Sequence, residues 1–306
     1  MIPKVNILLG CFNGAKYITE QLDSIESQTH QNWCVYASDD GSADEMLDIL
    51  KEYQVKWGSN KLVILQGPSN GFCQNFLSMV CNPKIIADYY AFCDQDDFWL
   101  PEKLTAAIHC LSLKDSSIPY IYGGRTTYVD INLKKTGDSP NFIYPTSFRN
   151  ALVQNIAGGN TMVFNHATKT LVTKVGIVDA VAHDWWLYIL ITGCGGRMHY
   201  DSRSYILYRQ HPGALIGQNN SLKCQFIRFL KLLKGEYKAW NDQNIGALKL
   251  ANSFLNYNNR KTLDQFILYR NSNLTRRLRM LSVCGLYRQG WHGEITLFLA
   301  VLLKRI

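Results

Sequence analysis

Short apolar segments alternate with helical patterns over the first hundred residues of this chain. Four segments are apolar and β-like: 5–11, 33–37, 62–65 and 89–93. Helical spacing of apolar residues follows the first two, at 17–28 and from residue 46. This alternation predicts an open, mostly parallel α/β sheet. Beyond residue 118 the pattern is less regular, with β-like pieces at 120–122 and 162–164 and a helical stretch at 185–191.

Polar residues follow three of the four predicted strands. They are Asn13 after the first strand, Asp39 and Asp40 after the second, and Asp94, Asp96 and Asp97 after the fourth. Ligands of open α/β sheets bind beyond the carboxyl ends of the strands, so we expect these side chains to converge at one edge. Helix capping by Ser42 or Asp44 explains part of the pattern, but it does not explain three carboxylates within four positions.

The sequence Cys93-Asp94-Gln95-Asp96-Asp97 is a candidate metal site. Residues two positions apart at a strand end project toward the same side, so Asp94 and Asp96 face one crevice. Carboxylate oxygens suit Mg²⁺ or Mn²⁺, and such an ion needs only one or two protein carboxylates beside water and substrate phosphates. The alternative is a solvent-exposed acidic turn, which the sheet context disfavours.

Composition restricts the class of protein. Of the 306 residues, 47% are hydrophobic and 18% are charged, which excludes a disordered or collagen-like chain. The nine cysteines include no CxxC pair, so we expect reduced thiols in a cytoplasmic protein. We expect no signal peptide, and the apolar run at 295–303 is far too short to span a bilayer.

Positive charge is concentrated in the last third of the chain. Residues 1–201 carry an excess of 5 negative charges, whereas residues 202–306 carry an excess of 13 positive charges. Within 222–238, apolar residues fall on one side of a predicted helix and lysines on the rest. Such a helix either docks on an anionic membrane surface or packs on the main domain with a solvated basic face.

Other nucleotide and metal motifs are missing. The sequence has no GxxxxGK[ST] loop, no GxGxxG after the first strand, no nucleophile elbow and no zinc-ligand spacing. A nucleic-acid partner is not expected either, since the predicted site is acidic and the basic residues lie on an amphipathic helix.

Seven motifs resemble, in order and spacing, those of the family 2 glycosyltransferases, which have the GT-A fold. They are VNILLGCFNGAKYI, ASDDGSADEMLDIL, SNGFCQNF, CDQDDFWLPEKL, AGGNTMV, HDWWL and YRQH. The last four most resemble bacterial rhamnosyltransferases that build surface polysaccharides from dTDP-L-rhamnose on a lipid carrier. The resemblance implies a GT-A domain at 1–217, with a nucleotide half at 1–100 and an acceptor half at 101–217, followed by a basic helical extension at 218–306.

The resemblance also implies roles for single residues. Asp39 would accept the imide N–H of a pyrimidine. The further nucleotide contacts would be Cys11, Phe12, Asn13, Asn75, Asp94 and Gln95. Cys11 and Phe12 depart from the family's usual Thr-Tyr and remove two hydroxyls. The metal ligands would be Asp96 and His211. Acceptor or diphosphate contacts would come from Trp99, Gly159, Trp185, Trp186 and Arg209.

Asp184 in HDWW is the candidate catalytic base. An inverting transfer, as the resemblance implies, needs a carboxylate to take the proton of the attacking acceptor hydroxyl, and Mg²⁺ or Mn²⁺ to neutralise the leaving diphosphate. The alternative role for Asp184 is a helix N-cap.

The implied partners follow from the same resemblance. They are dTDP-L-rhamnose or a similar donor, a polyprenyl diphosphate-linked saccharide acceptor of O-antigen or capsule synthesis, and the cytoplasmic face of the inner membrane. Two other functions remain open. A sugar-nucleotide nucleotidylyltransferase needs a Gly-rich, Arg-containing loop after the first strand, which 10–14 does not supply. A non-catalytic saccharide-binding module would use the same crevice without turnover.

Overall fold

The computed structural model describes residues 2–211, 230 and 232–306, so most of the helix predicted at 222–238 lies outside the described residues. Nine strands form one sheet: β1 (Val5–Cys11), β2 (Trp33–Asp39), β3 (Leu62–Gln66), β4 (Tyr89–Asp94), β5 (Phe98–Trp99), β6 (Tyr120–Val129), β7 (Lys135–Asp138), β8 (Val163–Asn165) and β9 (Arg197–Arg209). Their order is β3-β2-β1-β4-β8-β6-β9-β5, with β7 paired to β6. The α/β class is therefore confirmed.

Seven α-helices accompany the sheet: α1 (Ala15–Glu26), α2 (Met46–Trp57), α3 (Phe72–Cys81), α4 (Lys103–Ser112), α5 (Phe148–Ala151), α6 (His166–Val175) and α7 (His183–Gly193). Four more follow β9 within the described residues: α8 (Glu236–Leu250), α9 (Tyr257–Arg270), α10 (Leu274–Cys284) and α11 (Trp291–Leu302). The described part of the predicted extension is thus helical.

The parallel part of the sheet follows the predicted alternation. β1 lies between β2 and β4, and Gly10 is opposite both Ser38 and Asp94. Residues 5–9 are buried because β1 has helices on both faces. This register brings the carboxyl ends of β1, β2 and β4 to one edge.

The second half of the sheet was only partly predicted. β6 extends to Val129, far beyond the predicted 120–122, because it pairs in parallel with the long β9. β8 pairs antiparallel with both β4 and β6. Pairing between distant segments decides these strands, and local sequence pattern carries little of that information.

The C-terminal helices pack on the main domain. Leu248 of α8 and Phe266 of α9 are buried in the same cluster as Phe148 and Trp186. The side-chain amide of Asn259 donates to two carbonyls at the end of α7. The helices therefore share a core with the α/β domain.

Within the described residues, no helix has the length and apolarity required to cross a bilayer. The eight cysteines in this part of the chain form no disulfide with one another.

Candidate functional site

A side-chain amide joins the loops that follow β1 and β4. The Gln95 amide accepts from the Phe12 backbone N–H and donates to the Phe12 carbonyl, each at 2.8 Å. A Cβ on Gly14 would come within 2.2 Å of the Gln95 side chain, so a larger residue there would displace the Gln95 amide from Phe12. Gln95 therefore ties the two loops together, and its amide is already paired.

Hydrogen bonds join the loop after β2 to the loop after β1 and to the loop before α3. Asn13 has a positive φ of 48°, which asparagine tolerates, and its side chain accepts from the Ala43 N–H at 2.8 Å. Asp39 accepts hydrogen bonds within its own turn from the Ser42 N–H and hydroxyl. Asp40 accepts the N–H groups of Ser69 and Gly71 at 2.7 and 2.9 Å. Sequence analysis gave no role to this bridge from β2 to α3.

Three other predicted nucleotide contacts differ in exposure. Cys11 is buried, and burial first and the Asp39 charge second raise the pKa of its thiol. Asn75 is buried as well, and its amide exchanges hydrogen bonds with the hydroxyl and carbonyl of Ser38. Phe12 is 56% exposed at the edge of the crevice. Of these three side chains, Phe12 is the one open to a ligand.

The acidic residues after β4 converge as predicted. Burial, followed by repulsion from Asp96 and Asp184, raises the pKa of Asp94 to about 8. Asp97 is fully buried and accepts from the Asn160 amide at 2.5 Å, while its other oxygen has no partner among the described residues. Burial also raises the pKa of Asp97. Burial therefore favours the neutral form of both Asp94 and Asp97.

A buried lysine lies beside this cluster. Lys103 is 2% exposed, and its Nζ lies 3.6 Å from the ring centre of Trp99. Burial lowers its pKa to about 7, against the opposing effects of Cys93, Asp97 and Asp94. The sequence carried a signal for this residue, since it falls on the apolar face of α4 with Leu104, Ala107, Ile108 and Leu111.

Asp96 and His211 form the candidate metal pair. Nε2 of His211 lies 2.8 Å from Oδ2 of Asp96, and the imidazole packs on the Tyr17 ring with centroids 4.8 Å apart. The Asp96 side chain is 22% exposed and faces the crevice edge. These two residues are 115 positions apart, so only the pairing of β5 with β9 brings them together.

Arg209 is a structural residue. Its guanidinium is 1% exposed and donates to the Asp96 carbonyl at 3.1 Å, the Ile131 carbonyl at 2.7 Å and the Glu20 carboxylate at 2.6 Å. The predicted diphosphate contact is therefore corrected, because this side chain is enclosed and fully engaged. It holds the backbone of Asp96 in place.

Asp184 lies in the first turn of α7. Its Oδ2 accepts the Gly159 N–H at 2.9 Å, and its Oδ1 accepts the Trp185 N–H at 2.6 Å. Burial raises its pKa, although these two hydrogen bonds oppose the shift. The N-cap of α7 is Ala182, so Asp184 is not the cap. Gly159, predicted as an acceptor or diphosphate contact, donates its backbone N–H to this carboxylate and so positions it.

The neighbouring His183 is enclosed by aromatic rings. It stacks on Phe76 with centroids 4.0 Å apart and meets the edge of Phe92 at 4.6 Å. Burial lowers its pKa to about 3, so it stays neutral. A Cβ on Gly159 would lie 2.3 Å from its Nε2. His183 and Gly159 therefore fit each other closely behind Asp184.

The three tryptophans predicted to contact an acceptor lie in the protein interior. Trp99 and Trp186 are fully buried. Trp185 is 8% exposed, and its indole N–H donates to the Ala151 carbonyl at 2.7 Å. The assignment of these tryptophans as sugar contacts is corrected, because their large apolar rings are enclosed in the core and leave no open surface on which a sugar ring could stack.

A cavity of about 530 Å³ opens between the start of α3 and residues 177–180. Its lining includes Phe72, Cys73 and Ile177. Burial first, and the Asp184 charge second, raise the pKa of Cys73 to about 12. The charge of Asp184 therefore acts both on Cys73 in the cavity wall and on Asp94 in the acidic cluster.

The acidic edge fits a divalent cation. Among residues 2–211, 230 and 232–306, no three His, Cys, Asp or Glu side chains group around one metal position. Neighbouring ligands of an octahedral ion with bonds of about 2.1 Å are about 3 Å apart, which matches the Asp96–His211 spacing. The donor set of this edge therefore suits an ion whose other ligands are water and phosphate.

Comparison with known proteins agrees with this geometry. A family model described as "Glycosyl transferase family 2" matches residues 7–171. The chain is 29% identical to the dTDP-rhamnosyl transferase RfbG of Shigella flexneri over 265 residues, which cover 81% of this chain and 86% of that protein. It is 25% identical to the UDP-Glc:alpha-D-GlcNAc-diphosphoundecaprenol beta-1,3-glucosyltransferase WfaP of Escherichia coli, covering 72% and 85% of the two chains.

Two solved structures have the same fold. S. aureus TarS 1–349, in complex with UDP-GlcNAc, superposes with a TM-score of 0.53 at 15% identity and covers 93% of each chain. The mannosyltransferase PcManGT from Pyrobaculum calidifontis, in complex with GDP-Man and Mn²⁺, gives a TM-score of 0.52 at 16% identity over 100% of this chain and 86% of that one. The predicted GT-A fold is confirmed.

Proposed function

The chain belongs to glycosyl transferase family 2, and from that premise we propose that it is an inverting, metal-dependent rhamnosyltransferase acting on a lipid-linked saccharide. The observation that supports the proposal is that two consecutive residues join Asp184 of α7 to the acidic cluster after β4, since Gly159 donates to Asp184 and Asn160 donates to Asp97. Asp184 lies close enough to Asp94 to raise its pKa. An acceptor base and a metal-diphosphate site must be adjacent for one displacement to occur between them.

The donor binds at the edge where β1, β2 and β4 end. Phe12 offers an open aromatic face to the base, and Asp39 lies at the end of β2, where the family resemblance places the pyrimidine. Asp96 and His211 would hold Mg²⁺ or Mn²⁺, which neutralises charge on the leaving diphosphate when bound. Arg209 keeps Asp96 in position through its backbone carbonyl.

Asp184 takes the proton of the acceptor hydroxyl as that oxygen attacks the anomeric carbon. The Gly159 and Trp185 N–H groups orient its two oxygens, so the carboxylate is positioned before substrate arrives. Partial burial makes it a stronger base than an exposed aspartate, because its pKa is raised. The attack occurs opposite the leaving group, so the anomeric configuration inverts.

The acceptor enters through the cavity at the start of α3. Its volume of about 530 Å³ is in the range of sites that hold small ligands, and Phe72 offers an aromatic surface for a sugar ring. RfbG, a dTDP-rhamnosyl transferase, supports rhamnose as the donor sugar. WfaP, named for a diphosphoundecaprenol acceptor, supports a polyprenyl diphosphate carrier in O-antigen or capsule synthesis. The enzyme then works on the cytoplasmic face of the inner membrane.

A donor and acceptor screen tests this proposal. The full chain is incubated with Mn²⁺, a short-chain polyprenyl diphosphate saccharide and, in turn, dTDP-L-rhamnose, UDP-glucose and UDP-GlcNAc. We expect dTDP release and a rhamnosylated product whose NMR spectrum shows the anomeric configuration opposite to that of the donor. Transfer from UDP-glucose alone would overturn the rhamnose assignment, retention of configuration would overturn the role of Asp184, and pyrophosphate release would indicate a nucleotidylyltransferase.

A further inference from the structure

An exposed apolar stripe runs along the last helix. Four large apolar side chains of α11 are exposed: Trp291 by 63%, Ile295 by 50%, Phe298 by 48% and Leu302 by 38%. Their spacings of four, three and four residues put them on one side of the helix. The opposite side contributes Leu297, Ala300 and Val301 to the protein core. The stripe therefore faces outward from a helix that is otherwise well packed.

Two buried arginines hold this helix in place. Arg277 of α10 donates to the Val301 carbonyl at 3.0 Å and to the Leu302 carbonyl at 3.2 Å, which satisfies acceptors at the end of α11. Arg270 of α9 donates twice to the Ile306 carbonyl. The stripe is thus presented in a fixed orientation by the surrounding helices.

The surface around the stripe is basic. Residues 271–306 contain six Lys or Arg and one acidic residue, Glu294. The Glu294 carboxylate is half-buried and accepts the Arg288 N–H at 2.8 Å. The exposed cations are Arg276, Arg279, Lys304 and Arg305, and within the described part of the chain none of them forms an ion pair. An anionic partner is therefore complementary to this surface.

We propose that this stripe and its cations dock the enzyme on an anionic lipid bilayer. Apolar side chains enter the interface, an indole lies at headgroup level, and lysines and arginines contact anionic headgroups, which is the combination present here. A second copy of the chain fits less well. In a symmetric dimer the same patch meets itself, so like charges would oppose each other, and the half-buried Glu294 is the one acidic side chain in residues 271–306 that could pair them.

The docking surface is linked to the active site through aromatic contacts. Arg288, just before α11, lies over the Tyr237 ring at 5.4 Å, Tyr237 meets Trp240 at 5.2 Å, and Trp240 meets Trp185 at 6.4 Å. Trp185 follows Asp184 directly. Docking would thus hold the base at a set position relative to a carrier anchored in the same bilayer, an advantage that rests on the proposed function.

Vesicle sedimentation of the full chain tests the docking proposal. The probes are phosphatidylcholine vesicles with and without about 30% phosphatidylglycerol. We expect the wild-type chain to bind the anionic vesicles, and the double variant Trp291→Ser/Phe298→Ser to bind at least about tenfold more weakly, because each residue loses apolar area at the interface. Lys304→Glu/Arg305→Glu should weaken binding similarly and remove much of its salt dependence.

Matched controls separate docking from folding and from function. Val55→Ser replaces an exposed apolar residue of α2, which is 87% exposed, and should leave vesicle binding unchanged. The stripe variant should keep the wild-type melting temperature and full transfer to a water-soluble acceptor, and lose transfer to a long-chain acceptor in vesicles. Unchanged vesicle binding by the stripe variant overturns the proposal. A wild-type chain that is a dimer in solution, together with a stripe variant that is a monomer, overturns it as well. Vesicle binding without transfer to any acceptor would refute the proposed function and leave docking intact.

Discussion

The imidazole of His211 lies 2.8 Å from the carboxylate of Asp96, although 115 residues separate them in the chain. Tyr17 packs against the same imidazole and also lies under the Arg209 guanidinium, at 5.1 Å from its ring centre. Arg209 in turn donates to the Asp96 carbonyl. Both members of the pair are therefore held by the same small group of side chains at the edge of the crevice.

His211→Ala should weaken binding of Mn²⁺ together with nucleoside diphosphate by about 10- to 100-fold, because it removes one of two protein ligands. Asp96→Asn should abolish detectable transfer. Titration calorimetry with and without Mn²⁺ measures the first effect, and the controls are His109→Ala and Glu52→Gln, which change an exposed histidine and an exposed carboxylate. Wild-type metal-dependent affinity in the His211 variant would exclude it as a ligand.

Gly159→Ala should both destabilise the protein and slow transfer. The new Cβ would meet Nε2 of His183 at 2.3 Å, and His183 is enclosed by Phe76 and Phe92, so the clash must displace the backbone that orients Asp184. We expect a loss of about 1 to 3 kcal/mol in the free energy of unfolding and at least a tenfold fall in kcat.

Gly246→Ala is the matched control for that change. Gly246 lies in α8 with no atom within 4 Å of its added Cβ, so the substitution should be neutral or slightly stabilising. Urea unfolding and initial rates at saturating donor measure both variants. Equal stability and activity of the two would contradict the close packing at Gly159.

The acid limb of the pH–rate profile should reflect Asp184. Its pKa is raised above the usual aspartate value by burial, so the active carboxylate form is lost at a higher pH than for an exposed aspartate. We expect kcat to fall on acidification with an apparent pKa above 3.8. Asp184→Asn should lower kcat by about 10² to 10⁴ and leave donor affinity nearly unchanged.

Initial rates across the acidic and neutral range, with product measured by mass spectrometry, test this assignment. Asp264→Asn changes an exposed carboxylate of α9 and should keep the wild-type profile. An Asp184→Asn enzyme that turns over at the wild-type rate would exclude Asp184 as the base.

Lys103 should make stability depend on pH above neutrality. Its pKa is lowered to about 7 in the folded protein from a model-peptide value of 10.5, so between these values the unfolded chain binds more protons and stability rises with pH. The raised pKa values of Asp94, at about 8, and of Asp97 oppose this gain near neutrality, and the raised pKa of the buried Cys93 opposes it at higher pH, so the contribution of Lys103 is measured as a difference from a variant that lacks it. The effect of Lys103 on the free energy of unfolding is therefore best measured between about pH 7 and 9.

Lys103→Met removes this contribution. The wild-type chain should gain about 1 to 2 kcal/mol relative to the variant between pH 7 and 9, measured by urea unfolding at both values. Lys51→Met, at an exposed site on α2, is the control. A constant difference between wild type and the Lys103 variant over this range would show that Lys103 keeps its ordinary pKa.

Local pattern was sufficient for the first four strands and the first two helices. β1 occupies the predicted residues 5–11, and α1, β2, α2, β3 and β4 follow in the predicted order. Strands buried on both faces are continuous apolar runs, and amphipathic helices repeat every 3.6 residues, so both are visible in a short window. The acidic residues after β4 were also predictable, because parallel strands end at one edge.

The tertiary structure decided which side chains are available to a ligand. Arg209, Trp99 and Trp186 stand in motifs of the family, yet burial and hydrogen bonding make them structural. Lys103 and Asp97 stand in the motif at 93–104, but their burial next to Trp99 and Asn160, which shifts both pKa values toward the neutral form, depends on the tertiary structure.

The amino-acid sequence by itself determined the order of the first strands and helices, the acidic residues at the end of β4 and the family. Those depend on periodicity and on residues that are close in the chain. Only the tertiary structure decided that Asp96 meets His211, that Gly159 orients Asp184 and that α11 turns an apolar stripe outward. These contacts join segments far apart in the chain, and their energies come from packing and desolvation, which depend on the complete fold.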